Sequence, residues 1–105
     1  MSILATTTNS IDGQTVKQYL GVVRGIVVRS PTITQGLMGG LKGLVGGKIG
    51  AFSQMCEHAR EEAYQLMLQH AQELGANAVI CMRYDATELG QAGTEVLCYG
   101  TAVIL

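Results

Sequence analysis

The final twelve residues, TEVLCYGTAVIL, are apolar on either face of any strand they form. Side chains alternate between the two faces of a strand. Val96, Cys98, Ala102 and Ile104 therefore share one face, and Leu97, Tyr99, Val103 and Leu105 the other. A strand with one wet face alternates apolar with polar. A strand apolar on both sides belongs inside a sheet that is covered twice. The stretch VKQYLGVVRGIVV repeats the property, with Val16, Leu20, Val22, Ile26 and Val28 on one face and Tyr19, Val23 and Val27 on the other. Pro31, which has no N–H to give to a ladder, marks the end of that strand.

One long helix is available to cover such a sheet. From Ala51 to Leu74, the residues Phe52, Met55, Cys56, Ala59, Ala63, Leu66, Met67, His70, Ala71 and Leu74 recur at i, i+3, i+4 and i+7, the spacing of a single helical stripe. Glu57, Glu61, Glu62, Gln65, Gln69 and Glu73 fall on or near the opposite side. Gly75 is placed to end the helix in the left-handed conformation. Upstream, ILATTTNSI and QTVKQYLGVVRGIVVRS flank Asp12-Gly13, a pair suited to a tight hairpin turn. Downstream, NAVICMRYDA and TEVLCYGTAVIL are joined through TELGQAG. The pattern predicts a single α+β domain over 1–105, ordered strand, strand, helix, strand, strand, with a short glycine-rich helix before the long one. One helix can shield one face of the sheet. The second face calls for another subunit.

Composition agrees. Only 14% of the 105 residues are charged and mean hydropathy is +0.27, whereas ordinary soluble domains carry about 25% charge. Net charge is −1, and the seven Lys and Arg form no run, so the basic stripe that nucleic acid requires is missing. The opening MSILATTTNS has neither the charged nor the apolar region of a secretory leader. The charge-poor run from Ser30 to Gly47 is interrupted by Lys42 and is too short and too rich in glycine to span a bilayer. Three widely spaced cysteines make no disulfide framework. A reducing cytoplasm is the expected compartment, without stable membrane insertion.

The segment GLMGGLKGLVGGKIGAF packs seven glycines into Gly36–Gly50. It is not a Walker loop: Gly47-Lys48 is followed by Ile49, and Lys42 stands where the first glycine belongs. Its glycines recur four apart (Gly36 and Gly40, Gly39 and Gly43, Gly43 and Gly47, Gly46 and Gly50), which on a helix lets another backbone approach closely. Leu37, Leu41, Leu44 and Val45 have helical spacing. We read the segment as a packing device; two lysines make too weak a cationic face for a membrane-surface helix.

Residues with chemistry are few. Cys56 and His58 are two apart, about 200° around a helix, so they cannot both face one ion. Cys56 and His70 share a face but lie about 21 Å apart along the axis. His58 and Glu62 have i, i+4 geometry, yet two ligands fall short of a structural site. Cys81 and Cys98 are expected to be ordinary buried thiols. No catalytic signature occurs, so no catalytic or metal residue is assigned and any cofactor is unknown. The remaining candidate set for an inter-subunit enzyme site is Thr6, Thr7, Arg24, Tyr84 and Asp85.

Several stretches together resemble one family: TTTNSIDGQTVKQYLGVVRG, then GGKIGAF leading into AREEAYQLMLQHAQELGANAVICMRYD, then YGTAV. They are similar to the YbjQ-like family, small bacterial and archaeal proteins labelled heavy-metal-binding. The resemblance covers essentially the whole chain, with Gly46-Gly47-Lys48, Gly50 and Leu74-Gly75-Ala76-Asn77-Ala78 most specific. Lys48 departs from the arginine common there. The resemblance implies a β-α-β-β, dodecin-subunit-like fold with an antiparallel sheet on the long helix and the last strand central. It also implies ring-shaped homopentamers tied by extra short strands. No metal-ligand motif carries over onto residues of this chain. The expectation is a homo-oligomer, a pentamer, binding a small ligand or metal ion between subunits. Its assembly would use Gly39–Gly50 and the outer-face residues Tyr19, Val23 and Tyr99. Metal storage or sensing, and an inter-subunit enzyme, are the alternatives.

Overall fold

The computed structural model describes residues 2–29, 48–90 and 93–105, with the side chains of 48–53 excluded. The described elements are β1 (Leu4–Ala5), β2 (Gln18–Arg29), α1 (Lys48–Glu73), β3 (Ala78–Glu88) and β4 (Thr94–Ile104). They form a small α+β fold in which α1 packs on one face of a four-stranded sheet ordered β1-β3-β4-β2. β4 is internal, antiparallel to both β2 and β3, while β1 runs parallel to β3. The sheet is therefore mixed, not antiparallel throughout. The glycine-rich segment Gly36–Gly47 and its short helix lie outside the described residues.

The Asp12-Gly13 turn forms, with Gly13 at φ 79° and the Gln14 N–H donating to the Ile11 carbonyl at 3.1 Å. It does not join two paired strands as its composition predicts. Only Leu4–Ala5 is strand, and it pairs with the outer edge of β3, away from β2. The chain between them passes from the β3 edge to the β2 edge. On the way Ile11 and Val16 pack on Ala78, Ile80 and Val103. Covering apolar sheet with these two side chains gains more than extending a hairpin into water would.

A second difference arises at Gly21. There the β2–β4 register slips by one residue and Gly21 takes φ 105°. Such a bulge moves every side chain beyond it to the other face. Leu20 thereby joins Val23 and Val27 under the helix. Tyr19, Val22, Ile26 and Val28 face away, 68%, 69%, 45% and 50% exposed. Val23, expected on the outer face, is fully buried.

The helix also sits rotated from its expected stripe. Ala59, Ala63, Met67 and Ala71 are buried, strictly four apart, with Tyr64 and Leu68 packed beside them. Cys56, Leu66 and Leu74 are exposed. Small residues win the contact line because the helix lies very close to β2. A Cβ built on Gly25 would stand 2.0 Å from the Ala63 carbonyl oxygen. In β2, Gly25 thus allows close packing of backbone on backbone; the packing reading of Gly36–Gly47 concerns residues outside those described. The helix ends as Gly75 predicts: φ is 86°, Gly75 N–H donates to Gln72 O and Ala76 N–H to Ala71 O, both at 3.0 Å. Those two bonds satisfy carbonyls that the helix end would leave bare.

Candidate functional site

The face of the sheet opposite α1 can be laid out in rows from the strand register. One row reads Val22, Thr101, Ile80; the next Arg24, Tyr99, Arg83; then Ile26, Leu97, Asp85; then Val28, Glu95, Thr87. The Ala78–Ile80 end is closed by Ile11 and Val16. Beyond it the rows hold exposed apolar side chains, Val22, Ile26, Val28 and Tyr99, interleaved with two arginines and two carboxylates.

At the β3 edge the threonine run becomes a strap. Thr6 N–H donates to Val79 O, Met82 N–H to Thr6 O and Cys81 N–H to Thr8 O, all within 3.0 Å. Arg83 Nη1 donates to the carbonyls of Thr7 (2.9 Å) and Met82 (2.8 Å). Cys81 sits in the register slip between Ile80 and Arg83 with φ 57°, unusual for a residue with a Cβ. Its thiol donates to Asn9 Oδ1 at 3.2 Å.

On the helix side, Tyr84 lies opposite Cys98, with the Arg60 guanidinium carbon 5.6 Å from the centre of its ring. Burial raises the Tyr84 phenol pKa above its usual value, with nearby Cys98 adding to the shift. Burial pushes the Cys98 thiol up to about 11, only partly offset by the neighbouring Tyr84 side chain. Cys98 also contacts Met67 Sδ at 3.6 Å. It is a packed, protonated thiol, as expected of a small core residue.

Within one protomer, the five residues set aside for an inter-subunit enzyme site do not converge. Thr6 and Thr7 lie along the edge of β3, and Arg24 and Asp85 on the far face. Tyr84 is on the helix side of the sheet. Arg83, which sequence reasoning passed over, is the residue that holds the strap; nothing in CMRYD sets it apart from any other strand arginine. His70, expected in the helix stripe, is half-buried at the β2 edge, where its Nδ1 accepts the Arg24 N–H at 3.3 Å.

The geometry defines a class: a small α+β domain with one helix layered on a mixed sheet whose other face, among the described residues, bears exposed apolar rows. A family model described as "Putative heavy-metal-binding" matches residues 3–105. A UPF0145 protein of Legionella pneumophila strain Lens is 75% identical over 105 residues, all of both chains. One from Francisella philomiragia is 49% identical, covering 98% of this chain and 99% of the relative. A crystal structure of a DUF74-family protein from Pediococcus pentosaceus aligns with TM-score 0.60 at 19% identity, over 98% of this chain and 97% of that one. The chain belongs to the YbjQ-like family.

The family description raises a metal, and the described residues of one protomer do not fit one. No group of three or more His, Cys, Asp or Glu able to hold an ion occurs among them. Cys56 and His58 are both exposed on α1, Cys81 is engaged with Asn9, and Cys98 is sealed against Met67. No helix among the described residues is long and apolar enough to cross a membrane.

Proposed function

We propose that the chain is a non-enzymatic homo-oligomer, a cytoplasmic pentameric ring whose seams bind a small ligand or ion. The observation that supports this is the far face of the sheet. Val22, Ile26, Val28 and Tyr19 stand 45–69% exposed there, in a domain poor in charge. Apolar surface held in contiguous rows marks an interaction site rather than scattered exposure. The resemblance to ring-forming relatives supports the number five. The family description supports a metal ion as one candidate ligand, its donors multiplied by symmetry around an axis, with exposed Cys56 and His58 as this chain's contribution. Native mass spectrometry of gently purified, untagged protein tests both parts together. A five-fold mass with a retained adduct is expected, and a bare monomer at micromolar concentration refutes the reading. Stoichiometric metal that disappears in a Cys56→Ser, His58→Ala double variant would select the metal form.

A further inference from the structure

A titratable side chain of α1 holds one backbone donor of β2. β2 is an outer strand of the sheet, and its Arg24 N–H points away from β4. The acceptor it finds is Nδ1 of His70, at 3.3 Å. A ring nitrogen accepts only while it carries no proton. This bond therefore belongs to the neutral imidazole with its hydrogen on Nε2. Protonation makes both ring nitrogens donors. Nδ1–H would then confront the Arg24 N–H, donor against donor, and the bond is lost.

The charged ring has a second set of partners. His70 lies in the last turn of α1, where the final carbonyls of a helix favour a cation. Glu73 follows it at i+3, the spacing at which side chains meet on a helix surface. His70 also lines a groove of about 360 Å³ beside β2, with Ile26, Leu66 and Gln69 among its other walls. The charged residues lining that groove are Arg24 from β2 and Glu73 from α1; among the described residues, β3 and β4 add none. Farther along β2, Arg29 is already engaged with Glu62.

We propose that His70 is a pH-operated latch between α1 and β2. Neutral, it holds the Arg24 N–H. Charged, it releases that donor and turns to Glu73 and the carbonyls that end α1, which uncovers a backbone N–H at the wall of the groove. Histidine is the side chain whose ordinary charge change falls between about pH 5 and 8. The latch goes beyond the oligomer reading and does not rest on it, because the ring and both of its partners belong to one chain.

Nuclear magnetic resonance of the full chain at about pH 8 and about pH 5 tests it. At the higher pH, nitrogen spectra of the parent should show His70 protonated on Nε2 and bare on Nδ1. Amide exchange at Arg24, corrected for the intrinsic effect of pH, should be about tenfold faster at the lower pH, the worth of one ordinary hydrogen bond. The Gly25 amide, which points the other way into the sheet, should not follow it. His70→Gln supplies an acceptor that does not titrate and should erase the difference. Glu73→Gln should move the His70 midpoint down by roughly 0.2–0.4 pH units, with His58, the other of the two histidines, unmoved. If His70→Gln does not fold, the parent's tautomer and Arg24 exchange decide. A proton on Nδ1 at about pH 8, an Arg24 amide equally protected at both pH values, a difference that survives in His70→Gln, or a midpoint that stays put in Glu73→Gln overturns the latch. Native mass spectrometry of the same samples reads the oligomer separately, so a monomeric parent overturns the ring while these spectra still decide the latch.

Discussion

The two faces of the sheet both carry apolar rows and have opposite fates. Under α1, the contact runs over Ala59, Ala63, Met67 and Ala71 against Val23, Gly25, Val27, Cys98 and Ala102. It is closed to the point that a single methyl at Gly25 has no room. The far face carries apolar side chains too, Val22, Ile26, Val28 and Tyr99, but they stand among arginines and carboxylates and, beyond Ile11 and Val16, are exposed among the described residues. The lesson is that apolarity alone does not close a core. Closeness comes from pairing small residues on one surface with small residues on the other.

The strongest way to break this contrast is at Gly25. Gly25→Ala puts a Cβ against the backbone of α1, and backbone cannot step aside as a side chain can. We expect a loss of about 3 kcal/mol or more in urea unfolding. A cost below about 1 kcal/mol would show that the helix rides higher than described. Met67→Ala is expected to cost about 3 kcal/mol, since it empties a fully buried site at the centre of the same contact. Arg83→Ala removes the two hydrogen bonds of Nη1, one to the Thr7 carbonyl of the strap and one to the Met82 carbonyl of β3. About 1–2 kcal/mol is expected, with hydrogen exchange at Met82 and Cys81 rising before that of β4.

The next test is of pH. The Cys98 pKa is raised in the folded state and ordinary, roughly 8.5, when unfolded. The unfolded thiol therefore releases its proton first as pH rises. Stability should be fully present below about pH 8.5 and fall as pH climbs toward 11. The raised Tyr84 pKa acts in the same direction at higher pH. Alkylation at pH 8 followed by mass spectrometry should label exposed Cys56 before Cys98; equal rates would mean the helix-side contact is open. The smallest effect belongs to the open face. Ile26→Thr should change the stability of the dissociated chain by less than about 0.5 kcal/mol. It should nonetheless flatten the concentration dependence of Tm, the signature of weakened association.

Much of the fold was legible in residue order. The helix, its Gly75 terminus and the two C-terminal strands were marked by strong local signals: a 3.6-residue stripe, one obligatory left-handed position and alternation over many residues. The misreadings came from places where one residue changes the phase. Counting by twos through Tyr19, Gly21 and Val23 puts Val23 outside; the bulge at Gly21 puts it inside. A glycine in a strand hints at such a slip but does not say that it occurs. Cys81 with its positive φ conceals a second slip behind a residue that gives no warning. Thr6 and Thr7, candidates for an inter-subunit site by residue type, act in this structure through their backbone carbonyl and amide groups. Backbone hydrogen bonding carries no side-chain signature.

By itself, the order of residues determined the long helix and its end, the long strands, and the surplus of apolar sheet over helix. Those depend on short-range geometry, which a few neighbouring residues set. Tertiary structure alone decided that β1 leaves its hairpin for β3, which side of β2 meets the helix, and which two edges stay open. These are choices between surfaces far apart in the chain, and they are settled by which pairing buries more area and leaves fewer polar groups unpaired.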